Sequence, residues 1–364
     1  MGRFIALAEA AERYAGCFTS GPQVLAKLGE LDGRVLDMSA IPVCSPTEYA
    51  RPECTLAPFD PAARIRWVQG TELTSAQPIW VPSVMACYGM PGVRDEENFW
   101  FRISTGYAVH SDPAEAIVRA ICEVVERDAV ALTWLQKLPL APVPESCRTV
   151  NSDYLLDWCD RHFIRTHLFD ATTDLGVPTV YCLQIAEHDA KAHQVIGCAT
   201  ERDLAQAAEK ALLETVFVRS LCYTDKPLVE SFADYTNVED GARFMARPER
   251  AHAFDFLTEG IESRPVREMS TAGTLAADGD RALTQLIDLF EARGIDVIAC
   301  DATSPELADV GLVAVSVVIP ALQPMSLLRY AQYRAHPRLY QAPEAMGFRS
   351  LPEDELNQWP QPFP

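Results

Sequence analysis

The chain has 364 residues, with 31 Lys and Arg against 51 Asp and Glu, for a net charge of −20. Apolar residues make up 48% and charged residues 23%, which excludes a disordered chain and leaves room for a sizeable core. The charge argues against a nucleic-acid partner and against docking on anionic membranes, since both need a basic face. It leaves open phosphate ligands held through Mg2+, because carboxylates bind Mg2+ and Mg2+ binds phosphate.

The first sixteen residues bring in Glu9 and Glu12 early and lack the basic-then-apolar pattern of a signal peptide. Residues 3–17 read as an amphipathic helix, and residues 40–66, rich in Pro and polar side chains, as loop. Arg64 to Trp80 alternates like a strand and is closed by Pro82; Phe99 to Ile103 is a second short strand candidate. The clearest helix runs from about Pro113 to Gln136, with Asp112 as N-cap, Pro113 at the first helical position and Glu115 completing a start like a capping box. Pro139, Pro142 and Pro144 then break the chain. Val177–Ile185 and Gln194–Cys198 read as strands and Asp203–Leu221 as a second strong helix. Residues 224–280 are the least readable. A helix over 281–293 and strands over Ile295–Cys300 and Leu312–Ile319 complete the pattern. The longest apolar run, Gly311 to Ile319, stops at Pro320 and is too short to cross a membrane. Helices and strands mix without strict β-α alternation, so the expectation is an α/β fold of mixed sheets and helices with a substantial antiparallel component.

Eleven cysteines are scattered with no Cys-x-x-Cys pair, and the seven histidines show neither His-x-x-x-His nor His-Glu-x-x-His. That fits reduced thiols in a cytoplasmic protein, not a disulfide frame or a zinc cluster.

One internal echo stands out. The segment Ala6 to Ala15 (ALAEAAERYA) recurs as Ala120 to Ala129 (AICEVVERDA), with five of ten positions identical. Both copies carry Glu-x-x-Glu-Arg on a predicted helix. Residues three apart share a helix face, so Glu9 and Glu12 point one way, as do Glu123 and Glu126. In the second copy the polar stripe is Glu115, Arg119, Glu123 and Glu126, and the apolar stripe is Ile117, Ile121, Val124, Val125 and Leu132. A single copy reads as ordinary surface pairing from Glu9 to Arg13 and from Glu123 to Arg127, worth about 0.2–0.5 kcal/mol each. Two copies facing each other would converge four carboxylates, a cluster that repels itself unless cations fill it; Mg2+ gripping a nucleotide triphosphate is the natural occupant. No Gly-x-x-x-x-Gly-Lys-Ser/Thr loop, kinase signature or Gly-x-Gly-x-x-Gly is present.

The run Ser104-Thr105-Gly106-Tyr107-Ala108-Val109-His110, followed by Glu115-Ala116 and by Glu123-Val124-Val125-Glu126-Arg127-Asp128-Ala129, resembles the central motif of the YcaO family. The Ala6–Tyr14 segment resembles that family's earlier Glu-x-x-Glu-Arg helix. Trp67 to Leu73, Trp80-Val81-Pro82, Glu209 to Glu214 in a helix ending near Arg219, and His336-Pro337-Arg338-Leu339-Tyr340 are similar too. The end, Pro360-Gln361-Pro362-Phe363-Pro364, resembles the Pro-x-Pro-x-Pro tail of the azoline-forming, cyclodehydratase branch. The resemblance runs over most of the chain, so a single YcaO-like domain over 1–364 with a tail at 360–364 is expected.

The resemblance implies an ATP- and Mg2+-dependent enzyme that converts Cys, Ser or Thr of a precursor peptide into thiazolines or oxazolines. A thioamide- or amidine-forming enzyme and a non-catalytic scaffold subunit are the alternatives. It implies that Glu9, Glu12, Glu123 and Glu126 hold Mg2+ and that Arg127 contacts the nucleotide phosphates. Lys210 stands where the family usually has Arg, keeping the charge but not the bidentate fork. Arg119 stands where a Gln is common. Ser111 donates to the nucleotide or is a plain turn serine. The Pro364 carboxylate helps position or deprotonate the substrate, the alternative being a loose Pro-rich end. Expected partners are the precursor peptide, a separate leader-binding protein of RRE type, a flavin-dependent dehydrogenase and a second copy of the chain. Family members usually carry a further segment ahead of the first Glu-x-x-Glu-Arg, and a Ser where Ile5 stands; the chain is therefore expected to be short at its amino terminus.

Overall fold

The computed structural model describes residues 2–235, 237–266 and 273–364, without the side chains of 2–5 and 233. The expectation at Ile5 therefore lies outside the described side chains. In chain order the strands are β1 (Gln23–Ala26), β2 (Arg34–Val35), β3 (Ile65–Glu72), β4 (Gln77–Pro82), β5 (Tyr107–His110), β6 (Ala141–Pro142), β7 (Arg165–Asp170), β8 (Thr179–Ile185), β9 (Gln194–Thr200), β10 (Ile298–Asp301) and β11 (Val313–Val318). Two compact units form: residues 1–125 with 275–322, and residues 126–274 with 323–364.

The first unit is built on a seven-stranded sheet in the order β2-β4-β3-β10-β11-β5, with β1 also paired to β3. Every pairing is antiparallel except that of β2 with β4. Alternation along β3 and β4 buries Ile65, Trp67, Ile79 and Val81 together with Ile298 of β10. The predicted single stretch Arg64–Trp80 is a hairpin, because Glu72 turns the chain. Its buried carboxylate accepts the N–H groups of Thr74 at 2.8 Å and Ser75 at 2.9 Å, the Ser75 hydroxyl, and Arg34 at 3.1 Å. Burial works against its charge, but the donors from Ser75 and Thr74 win and hold the carboxyl at about 2.

Phe99 to Ile103 is not a strand. Phe99 is instead buried edge-on to Phe59, at 5.1 Å between ring centres. The Arg102 guanidinium donates to the carbonyls of Tyr88 and Met90, both at 2.9 Å, so the loop is braced through a side chain rather than a ladder.

The second unit is built on the antiparallel sheet β6-β7-β8-β9. The helix Leu204–Leu221, N-capped by Asp203, lies on it through Ala207, Ala208, Ala211 and Leu212. The contact is close because Gly197 of β9 has no side chain: a Cβ there would stand 2.5 Å from Thr215 Oγ1 and 2.9 Å from the Ala211 carbonyl. The helix Val150–Arg161 and strand β7 carry no clear apolar period, and the sequence reading has neither; among the helix residues only Ser152 and Cys159 are fully buried. Among the described residues no helix is long and apolar enough to cross a membrane.

Candidate functional site

The helix Pro113–Leu135 carries the central motif. Asp112 accepts from the N–H groups of Ala114 at 2.9 Å and Glu115 at 3.4 Å, as an N-cap should, and its own N–H donates to His110 Nδ1 at 3.0 Å. Ile121, Val125 and Leu132 are fully buried, as the apolar stripe requires.

In the first unit the echoing helices meet the same strand. Glu12, on the helix Gly2–Ala15, accepts the N–H of Val109 at 3.3 Å, and Glu123 accepts the N–H of Gly106 at 3.1 Å. The two donors are three residues apart, at β5 and its approach. Gly106 is required there: its φ is +86°, and a Cβ would stand 2.4 Å from the Val317 carbonyl. Glu9 is exposed one turn before Glu12 on the same helix. Ser111 is exposed at the turn before the central helix. Arg119 is exposed as well and lies 3.9 Å from Glu115, a surface pair of little energetic weight.

In the second unit a charged cluster gathers around Glu126. This carboxylate, 5% exposed, accepts the N–H of Thr200 at 3.0 Å and pairs with Arg127. Lys210 lies 3.0 Å from Glu201, and Glu214 follows Lys210 by one turn. The surrounding protein opposes the Lys210 charge, but Glu126, Glu201 and Glu214 together outweigh it and hold the ammonium above its ordinary value. Burial first, and then the charge of Glu126, push the Glu214 carboxyl up to about 8, with Lys210 and Arg127 pulling against them. Glu126, Glu201, Glu214, Lys210 and Arg127 thus form one interacting charged cluster, in which burial opposes the ionisation of Glu214. Sequence reasoning placed Glu126, Arg127 and Lys210 here but not Glu201 or Glu214. The i,i+4 step from Lys210 signals Glu214; nothing local signals Glu201.

The next residue has a different task. Asp128 is fully buried and takes two hydrogen bonds from Arg338, both 2.6 Å, and one from the N–H of Gln323 at 2.8 Å. Arg338 also reaches Asp174 at 3.0 Å. His336 sits beside them, its Nδ1 3.2 Å from Gln323 Oε1; burial and then the Arg338 charge lower its pKa to about 4. The His336-to-Tyr340 segment therefore clamps the central helix just beyond Glu126 and Arg127.

The tail is packed, not loose. Asn357 N–H donates to the Leu135 carbonyl at 2.9 Å and Trp134 Nε1 to the Trp359 carbonyl at 3.1 Å. Gln361 and Phe363 are 5% and 4% exposed. The Arg127 guanidinium carbon lies 4.6 Å from the centre of the Phe363 ring, a cation–π contact next to the terminal Pro364.

The donor set fits a hydrated divalent cation shared with phosphates. Carboxylate oxygens are its proper ligands, and Lys210 and Arg127 are proper phosphate partners. Among the described residues no three acidic, His or Cys side chains form a ready-made metal cage.

The family profile described as YcaO cyclodehydratase, ATP- and Mg2+-binding, matches residues 2–323. The chain belongs to the YcaO family. It is similar, at 28% identity over 191 residues, to an uncharacterized protein in the tfuA 3' region of Rhizobium leguminosarum bv. trifolii, a match covering 50% of this chain and 42% of that one. Among solved structures it is similar to a heterocyclase in complex with substrate and cofactor, with TM-score 0.78 and 22% identity, covering 98% of this chain and 48% of the other. It is also similar to a YcaO protein from Methanopyrus kandleri bound with AMPPCP and Mg2+, with TM-score 0.59 and 18% identity, covering 88% and 76%. At these identities the structural likeness is one of fold, the mixed α/β fold of YcaO heterocyclases. The chain spans less than half the length of the Rhizobium protein and of the first heterocyclase.

Proposed function

We propose that this YcaO protein is an ATP- and Mg2+-dependent cyclodehydratase that forms azolines from Cys, Ser or Thr residues of a precursor peptide. The observation that carries the reading is the cluster of Glu126, Glu201 and Glu214 with Lys210 and Arg127, onto which the carboxyl-terminal tail is packed through Phe363. The family profile and the neighbours bound to substrate, AMPPCP and Mg2+ support it.

The reaction joins a side-chain sulfur or oxygen to the preceding carbonyl carbon and removes water. Mg2+-ATP supplies the phosphoryl group that turns an amide oxygen, a poor leaving group, into a good one. In this reading Glu9, Glu12, Glu123 and Glu126 are the Mg2+ ligands. The backbone N–H bonds to Glu12, Glu123 and Glu126 set the direction of each carboxylate before any ligand arrives. Arg127 and Lys210 face the phosphates, with Arg119 and Ser111 at the periphery. The Pro364 carboxylate orients the substrate amide or takes the proton of the attacking group. A leader-binding protein, a flavin-dependent dehydrogenase and a second copy of the chain are the proposed partners.

The test is a mass measurement. Incubation of the protein and its leader-binding partner with precursor peptide, ATP and Mg2+ should remove one water per modified residue. Glu123→Ala, or deletion of Pro364, should abolish the change. A sulfur-for-oxygen gain would assign thioamide formation instead, and an unchanged peptide with no ATP bound would make the chain a scaffold.

A further inference from the structure

In the proposed function Pro364 has a part, and the residue before it has none. Phe363 is 4% exposed, and what it is buried against is a cation: the Arg127 guanidinium carbon lies 4.6 Å from the ring centre. Arg127 is at the same time paired with its chain neighbour Glu126, whose other oxygen is held by the Thr200 N–H. An aromatic face further restricts a guanidinium without itself consuming an N–H donor, because the ring attracts the cation through its quadrupole and not through a hydrogen bond.

Several contacts within the second unit guide the tail into this place. Trp134 and Leu135 at the end of the central helix bind Trp359 and Asn357. Gly241, within the helix Val238–Met245, lets the Gln361 carbonyl pass: a Cβ there would stand 2.4 Å from that oxygen. A backbone oxygen cannot yield as a flexible side chain would.

We propose that Phe363 is a positioning residue, an aromatic shelf that holds Arg127 in the orientation in which it meets the nucleotide phosphates, so that tail docking and nucleotide binding are coupled. This rests on the nucleotide reading of the preceding subsection, and it separates the tail's penultimate side chain from its terminal carboxylate.

The experiment uses the full chain with arginine isotope labelling. The Nε–H resonance of Arg127, assigned by its disappearance in Arg127→Lys, reports the ring directly, and titration with AMPPCP and Mg2+ reports binding. Phe363→Leu should shift that resonance and weaken AMPPCP binding roughly fivefold to tenfold, whereas Phe363→Tyr should keep both within about twofold, because a phenol ring still binds a cation. Gly241→Ala, which disturbs the tail from outside the site, should reproduce the Phe363→Leu effect and serves if that variant folds poorly. In turnover, Phe363→Leu should raise KM for ATP more than it lowers kcat. An Arg127 signal indifferent to Phe363→Leu, or equal losses in the Leu and Tyr variants, would overturn the proposal. Wild-type protein that binds AMPPCP with an affinity unchanged by Phe363→Leu overturns this inference alone. Wild-type protein that binds no AMPPCP overturns the nucleotide reading and with it the part given to Phe363.

Discussion

Adjacent residues of the Glu-Arg-Asp triplet at 126–128 face different surroundings, and their energetics differ accordingly. Glu126 and Arg127 belong to the charged cluster, while Asp128 is buried against Arg338 with hydrogen bonds of 2.6 to 2.8 Å. A buried ion pair adds little over an apolar pair, but removing one partner strands the other's charge. Asp128→Asn should therefore lower stability by about 3–5 kcal/mol, read from the urea midpoint of unfolding. His336 gives a pH signature. Its folded pKa is near 4 against an ordinary 6.5, so the unfolded chain takes up the proton first. Its burial costs nothing above pH 6.5, and stability then falls as the pH drops from 6.5 towards 4, by about 3 kcal/mol in all. Urea unfolding at several pH values should show this slope, and His336→Gln should flatten it. Glu72, held at about 2 against 4.5, loses its contribution only as the pH falls from 4.5 towards 2, so the two windows barely overlap.

At the scale of elements, the helices that carry charge were the most legible. The central helix announces itself through Asp112, Pro113 and a 3.6-residue apolar period, and the helix Leu204–Leu221 through the Asp203 cap. Strands were read where they alternate or run apolar, as in β3, β8 and β11, and not in β7, whose exposed and half-buried side chains give no clean pattern. Phe99 to Ile103 was misread because a buried aromatic in a braced loop has the same composition as a strand. The seat of the Leu204–Leu221 helix on β9 depends on one missing side chain. Gly197→Ala should push the helix off the sheet and cost about 1–3 kcal/mol. Because that helix carries Lys210 and Glu214, AMPPCP affinity should fall along with the unfolding midpoint, and both can be measured on one preparation.

For the whole molecule, the charge of −20 permits a cation-binding site but does not mark one, since the cluster around Glu126 holds only three of the 51 acidic residues. A cation-accepting, phosphate-binding site makes stability depend on its ligands, since whatever binds the native state alone stabilises it. Mg2+ and AMPPCP together at a hundred times their dissociation constant should stabilise the protein by about 2.7 kcal/mol, seen as a rise in thermal midpoint. AMPPCP without Mg2+ should do much less, and Lys210→Ala should shrink the effect.

The sequence by itself determined the helices with caps, the two Glu-x-x-Glu-Arg copies, the α/β class and the resemblance to the YcaO family, because all of these are written in local spacing that a helix or a motif converts directly into geometry. Tertiary structure alone decided which acids share one electrostatic field, that Glu12 and Glu123 accept N–H groups only three residues apart, that Asp128 is a buried anchor beside the charged cluster, and that the last five residues are packed with Phe363 under Arg127. Those outcomes join residues far apart in the chain, and burial, the quantity that separates a surface carboxylate from an anchored one, exists only once the chain has folded.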